Sequence, residues 1–109
     1  MKIEIKDILI SVQRALLERI TPNLRSVFVI PGDNCLRLIF YFNEAPTEEE
    51  QELISLADTE FISDFPPPEY KTFFDVITLS YPNKIPNGDF CVYSRYESLY
   101  ETKKNRCDI

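Results

Sequence analysis

The spacing of the apolar residues changes along this chain, and each change limits the secondary structure that a segment can form. Between residues 5 and 20, apolar side chains recur every three or four positions, with charged and polar residues between them. This spacing predicts an amphipathic helix of about four turns, which ends at Thr21 because Pro22 disfavours a helical residue before it. Between Cys35 and Asn43 the apolar residues alternate with a period of two, which predicts a strand with one buried face.

A strand before residue 35 and a second helix after Thr47 are also predicted. Residues 24–30 are rich in Val, Phe and Ile, and the turn residues 31–34 predict an antiparallel hairpin with the strand that follows. A second helix is predicted after Thr47, whose hydroxyl can cap it while Glu50 completes a capping box. The three prolines at 66–68 end this helix.

The last strands are predicted at residues 71–81 and 90–96, with a tight turn at Asn87-Gly88 between them. Each half of the chain is then a helix followed by a hairpin. The predicted fold class is α+β: a two-layer αββαββ domain over residues 1–97, with two helices packed on one face of a four-stranded, mainly antiparallel sheet. Strands 2 and 3 can be parallel if they are adjacent, and the strand order stays open. Residues 98–109 form a polar, basic tail that is either a frayed helix or disordered.

Composition excludes several kinds of chemistry. The chain has no histidine, two glycines and no CxxC pair, so the common general base, phosphate-binding loops and most zinc sites are absent. We therefore expect no enzyme activity, no cofactor and no metal. A net charge of −6 disfavours binding to nucleic acid or to anionic membranes.

The cellular location follows from what the sequence lacks. The N-terminus has no apolar h-region, and nowhere do eighteen apolar residues run together. The three cysteines form no close pair, which suits a reducing compartment, and we expect Cys35 and Cys91 to be buried on strands. The sequence thus predicts a cytosolic protein.

Charge is distributed very unevenly. Between Leu38 and Tyr70 there is no basic residue, while the carboxylates number nine: Glu44, Glu48, Glu49, Glu50, Glu52, Asp58, Glu60, Asp64 and Glu69. A helix selected only for solubility would normally mix charges and use Glu–Lys pairs four residues apart. One strongly negative side suits a basic partner through steering and charge complementarity.

Two candidate binding surfaces follow from this distribution. The first is the acidic side of the second helix and its flanking loops, with Tyr70 as an aromatic anchor; its predicted contact residues are Glu44, Glu48, Glu49, Glu52, Asp58, Asp64, Glu69 and Tyr70. The second is a sheet face left uncovered by the helices, carrying Tyr41, Arg37, Thr78 or Arg95. A simpler interpretation also stands: the glutamates at 48–50 are of the kind usually found in the first turn of a helix, where they interact with the helix dipole, and they need not contact a partner.

Several short motifs resemble those of a known family. Residues 21–25 (TPNLR), 62–66 (ISDFP), 81–86 (YPNKIP) and 92–95 (VYSR) are similar to segments of small bacterial immunity proteins. Those proteins accompany the polymorphic toxins of contact-dependent growth inhibition and related systems. The resemblance covers residues 1 to about 96 and implies a cytosolic protein that binds a cognate toxin domain, often a nuclease, and blocks it.

Three functional hypotheses follow. The first is an immunity protein whose acidic surface binds the basic cleft that a nuclease needs to hold phosphates. The second is a non-enzymatic adaptor or regulatory module that binds a basic protein without inhibiting it. The third is an enzyme that uses carboxylates alone, which requires acids converging in a pocket. The oligomeric state is not determined by the sequence.

Overall fold

The computed structural model describes residues 4–86, 88 and 90–97. It contains two helices and four strands in the predicted order. Their bounds are α1 (Ile5–Leu16), β1 (Leu24–Gly32), β2 (Cys35–Phe42), α2 (Glu48–Asp64), β3 (Lys71–Thr78) and β4 (Phe90–Ser94). The predicted fold class, α+β with a mainly antiparallel sheet, is confirmed. The Asn87 half of the predicted tight turn and the tail at 98–109 lie outside the described residues.

The sheet has the order β3-β2-β1-β4. β1 is antiparallel to both β2 and β4, whereas β2 and β3 form one parallel pair. The prediction of a second hairpin is therefore wrong, since β3 and β4 lie at opposite edges. The connection through α2 returns the chain beside β2 in the same direction, and the other side of β1 is left for β4.

One face of the sheet carries the core. As predicted, alternate residues of β2 are buried: Leu36, Leu38, Phe40 and Phe42. They pack in one cluster with Ile8, Val12 and Leu16 of α1 and with Ile54 and Phe61 of α2. The apolar face of the strand, with its period of 2, thus packs against the apolar faces of the helices, with their period of 3.6. This is the two-layer arrangement expected.

The first helix is shorter than predicted, because it ends at Leu16 rather than beside Pro22. Glu18 adopts a left-handed conformation with φ of 64°, which turns the chain out of the helix. The Arg19 guanidinium then donates to the Ala15 carbonyl at 2.9 Å, which satisfies one of the free carbonyls at the helix end. Ile20 lies outside the buried stripe and is exposed.

The connection from β3 to β4 reaches the sheet face away from the helices. The ring of Phe28, which stacks edge-to-face with Tyr41 at 5.9 Å, lies directly against Gly88. A β-carbon at position 88 would collide with that ring, so this close approach requires glycine. β3 and β4 end earlier than predicted, at Thr78 and Ser94. Cys91 is exposed on the edge strand β4, so the prediction that it is buried is wrong.

Candidate functional site

The start of α2 has the predicted capping box. The Thr47 hydroxyl accepts from the Glu50 backbone N–H at 3.1 Å, and the Glu50 carboxylate accepts from the Thr47 N–H at 2.9 Å. The same carboxylate also accepts from the Thr21 hydroxyl at 2.5 Å and from the Asn23 side chain at 3.1 Å. Burial raises the pKa of the Glu50 carboxyl, but the hydrogen bonds that it accepts outweigh this and lower it overall. Glu50 is thus a structural residue that joins α2 to the start of β1.

The C-terminal half of α2 has counter-charges that come from α1 and from the segment that follows it. Arg14 donates to Asp64 at 2.8 Å, and the Ser11 hydroxyl donates to the same carboxylate oxygen at 2.5 Å. Arg19 pairs with Glu60 at 2.8 Å. The segment from Leu38 to Tyr70 has no basic residue of its own, but two of its acids, Glu60 and Asp64, are therefore paired with arginines from elsewhere in the chain. Asp64, one of the predicted contact residues, joins the two helices.

Asp58 lies half-buried on α2. Its Oδ1 atom is buried and has no hydrogen-bond partner among the described residues. Burial raises the pKa of this carboxyl, because the charged form loses water without gaining a donor. Asp58 is therefore an acid whose charge is not compensated within the described part of the chain.

The remaining predicted acids are exposed, and none forms an ion pair with a described residue. They are Glu44, Glu48, Glu49, Glu52 and Glu69. The first four lie at or just before the N-terminal half of α2. Glu69 follows the other end of this 17-residue helix, which is about 25 Å long. The uncompensated negative charge is therefore concentrated at the helix N-terminus, and Glu69 lies apart from it. We refer to Glu44, Glu48, Glu49 and Glu52 as the acidic patch.

Tyr70, predicted as an exposed aromatic anchor, is partly buried in the structure. It is half-buried and packs against the core, with its ring edge-to-face on Phe65 at 5.8 Å. Phe65 in turn lies 5.2 Å from Phe61, a fully buried residue of α2. Tyr70 thus connects the proline segment to the core, and only part of the side chain is available to a partner.

A groove on the helix side of the sheet adjoins the acidic patch. It lies between α2 and β3 and has a volume of about 420 Å³. Its lining residues are Pro46, Gln51, Ile54, Ser55, Phe74 and Val76. Sequence reasoning missed this feature, because the apolar residues of β3 indicate a buried strand and only the strand order places them at an edge.

The second predicted surface, the sheet face without helices, is partly closed. Tyr41 is buried there, and Arg37 is held by Asp75 at 2.8 Å and by the Phe73 ring at 5.1 Å. Thr78 pairs in register with Phe42 and so lies on the helix side instead. Arg95 donates to the Pro22 carbonyl and to Glu97. These cations are engaged within the molecule, which leaves the acidic patch as the better candidate.

Among the described residues, no group of three or more His, Cys, Asp or Glu side chains could hold a metal ion. No helix in the described part of the chain is long and apolar enough to cross a membrane.

Comparison with known protein families gives one informative match. The family model of the MafI2 immunity protein matches residues 5–97, which include both helices and all four strands. No curated protein matches the chain. The matched region also contains the four motifs, at 21–25, 62–66, 81–86 and 92–95, that resemble immunity proteins.

Proposed function

The chain belongs to the MafI2 immunity protein family, and we propose that it neutralises a nuclease toxin domain through its acidic patch. The family supports a toxin-neutralising role, and we infer that the protein acts by binding the toxin rather than by catalysis. The nuclease class of the toxin and the acidic contact surface are our proposals. We also infer that the protein acts in the bacterial cytosol, where a nuclease toxin would meet its nucleic-acid substrates.

The observation that carries this proposal is the separation of paired from unpaired acids on α2. Asp64 is paired with Arg14 of α1, Glu60 is paired with Arg19 just after α1, and Glu50 completes the capping box. Glu48, Glu49 and Glu52 are exposed and unpaired within the described residues. Glu48 and Glu52 also repel each other as a like-charge pair four residues apart. The helix dipole offsets part of this cost, and a basic partner would offset more.

The chemistry of a nuclease supplies such a partner. An enzyme that cleaves RNA or DNA holds phosphates with Lys and Arg side chains. Carboxylates presented on a rigid helix can occupy or flank the same cationic surface and exclude the substrate. A non-inhibitory adaptor would use the same charge complementarity, but the family match favours inhibition.

Growth rescue tests the proposed function directly. A candidate cognate toxin domain would be expressed in the bacterial cytosol with and without the full chain. We expect the toxin alone to arrest growth and degrade cellular RNA or DNA, and co-expression to restore both growth and intact nucleic acid. A complex that forms without restoring growth would support the adaptor instead. Rescue from a toxin that leaves nucleic acid intact would contradict the nuclease assignment.

A further inference from the structure

The two edges of the sheet are protected to different degrees. β4 has five residues and a register shift opposite Val27 and Phe28. β3 has eight residues and pairs with β2 in an unbroken register from Lys71 to Thr78. Natural edge strands are usually short, bulged, or interrupted by proline or free charge. β3 has neither a bulge nor a proline. Its Asp75 is held by Arg37 of β2, and its other charged residue, Lys71, lies at the first position of the strand.

The outer edge of β3 presents backbone groups that β2 does not use. Lys71 N–H donates to the Asn34 carbonyl at 2.9 Å, and Leu79 N–H donates to the Phe42 carbonyl at 2.8 Å. Lys71, the first residue of β3, and Leu79, just after its last residue, therefore both direct their N–H groups toward β2. Because backbone groups alternate sides along a strand, the even-numbered residues direct their N–H and C=O groups away from the sheet. These are Thr72, Phe74, Val76 and Thr78.

Large apolar side chains flank this free backbone on both faces of the sheet. Phe73, Phe74, Val76 and Ile77 are each 38–42% exposed. Phe74 and Val76 lie on the helix side and line the groove with Ile54 of α2. Phe73 and Ile77 lie on the other face, in register with Arg37 and Tyr41. An unpaired edge with apolar side chains on both faces is the arrangement that accepts an additional strand.

Charge indicates what kind of strand would fit. Along α2, Glu48, Gln51, Ser55 and Asp58 follow each other at spacings of three and four residues, so they share one side of the helix. Gln51 and Ser55 line the groove. Glu48 and Asp58 lie one turn beyond them on the same side of the helix, outside the lining. No Lys or Arg is among the lining residues, and the buried Asp58 oxygen lacks a donor within the described residues. Glu48 and Asp58 lie about 15 Å apart along the helix, so each carboxylate would be compensated by its own basic side chain, one at either end of the groove.

We propose that the toxin domain adds a strand to the outer edge of β3. This inference rests on the proposed function, since the added strand belongs to the toxin. Side chains alternate along such a strand. Those on the helix side are Lys or Arg and reach Glu48 and Asp58 across Phe74 and Val76. Those on the other side are apolar and pack beside Phe73 and Ile77.

Amide hydrogen exchange measured by NMR on the full chain tests the strand addition. The probe is the toxin domain that the chain neutralises in the growth-rescue experiment, inactivated by a catalytic substitution. In the free protein we expect fast exchange at Phe74 and Val76 and slow exchange at Phe73 and Ile77. In the complex, we expect exchange at Phe74 and Val76 to slow by at least about 100-fold, because their N–H groups become bonded.

Other outcomes separate this inference from the proposed function. A complex that forms while Phe74 and Val76 still exchange fast would overturn the strand addition and leave the immunity role intact. Protection of these amides in the free chain would also overturn it, since residues 98–109 or a second copy would then occupy the edge. Failure to form a complex would overturn the proposed function itself.

A matched pair of variants gives an independent readout. Val76→Pro removes an outward N–H without breaking a bond to β2, and Val76→Thr keeps that N–H with a side chain of similar shape. We expect Val76→Pro to weaken toxin binding by at least about tenfold, and Val76→Thr to stay within about threefold of the parent. Equal losses in the two variants would overturn a backbone contact. If Val76→Pro does not fold, the exchange measurement decides.

Discussion

Glu97 and Arg25 form a two-bond ion pair in which the arginine is almost completely enclosed. Arg25 Nε and one terminal nitrogen donate to the two carboxylate oxygens at 2.5 and 2.7 Å, and the arginine side chain is 2% exposed. Arg25 also donates to the Leu79 carbonyl and lies 5.6 Å from the Tyr81 ring. The pair therefore joins β1, the connection after β3 and the chain beyond β4.

Removing the acid of this pair should cost substantial stability. Glu97→Ala leaves the guanidinium of Arg25 buried without its counter-charge, and we expect the free energy of unfolding to fall by about 3 kcal/mol. Urea denaturation followed by circular dichroism measures this. Glu60→Ala is the control, because Glu60 is 51% exposed in its pair with Arg19 and should lose less than about 1 kcal/mol. Similar losses in the two variants would contradict the structural role of Glu97.

Stability should also depend on pH through two carboxyls. Hydrogen bonds from Arg25 lower the pKa of Glu97, against an opposing effect of burial, and the pKa of Glu50 is lowered as well. At pH values above the ordinary pKa of 4.5, each group therefore contributes to stability. This contribution is lost as the pH falls through the lower pKa that the group has in the folded protein. Urea midpoints measured from pH 7 to pH 3 should fall below about pH 4.5. In Glu97→Gln the decline should be shallower, and an unchanged decline would exclude this linkage.

For Asp58 we expect the opposite dependence of stability on pH. Because burial raises its pKa, the charged form is less favourable in the folded protein, and stability from the neutral form is lost as pH rises through the folded-state pKa. Asp58→Asn should therefore raise the urea midpoint at pH 7 and leave it nearly unchanged at pH 3. A lower midpoint at pH 7 would show that the Asp58 carboxylate has a stabilising partner in the folded chain.

The cap of α2 can be tested with a pair of conservative changes. Thr47→Ala removes the hydroxyl that accepts from the Glu50 N–H and should cost about 1 kcal/mol. Thr47→Ser keeps an acceptor at the same position and should restore most of that loss. Thermal unfolding of the three proteins at neutral pH measures both effects. If the serine variant is as unstable as the alanine variant, the hydroxyl is not the stabilising group.

The acidic patch should control association with the toxin. Changing Glu48, Glu49 and Glu52 to lysine should slow association by at least about tenfold at low salt, with a smaller effect at high salt. Surface plasmon resonance against the inactivated toxin domain, at several salt concentrations, measures both rates.

A control for this variant must carry the same change in net charge. Lysine at the exposed positions Glu4, Asp7 and Asp33 meets that condition, because these acids lie at the start of α1 and in the turn between β1 and β2, outside the acidic patch. We expect the control to associate much faster than the patch variant. Equal rates would mean that net charge alone determines association, and unchanged rates in both would place the interface elsewhere.

The parts of the fold that depend on neighbouring residues were predictable from the sequence. The alternation in β2 and the capping box of Thr47 and Glu50 follow from periods of 2 and 3.6 and from side chains three positions apart. The family resemblance from four short motifs agrees with the family match over residues 5–97. The end of α1 was not predictable, because Arg19 closes it through contacts with Ala15 and the distant Glu60.

By itself, the sequence determined the helices and strands, the two-layer class and the excess of acid between Leu38 and Tyr70. Only the tertiary structure decided which acids remain free and which strand is exposed. Arg14 approaches α2 from α1 and Arg19 from the segment after it, and the parallel return beside β2 leaves β3 at an edge. The physical reason is that periodicity and capping act over a few residues, whereas charge pairing and strand order depend on contacts between distant parts of the chain.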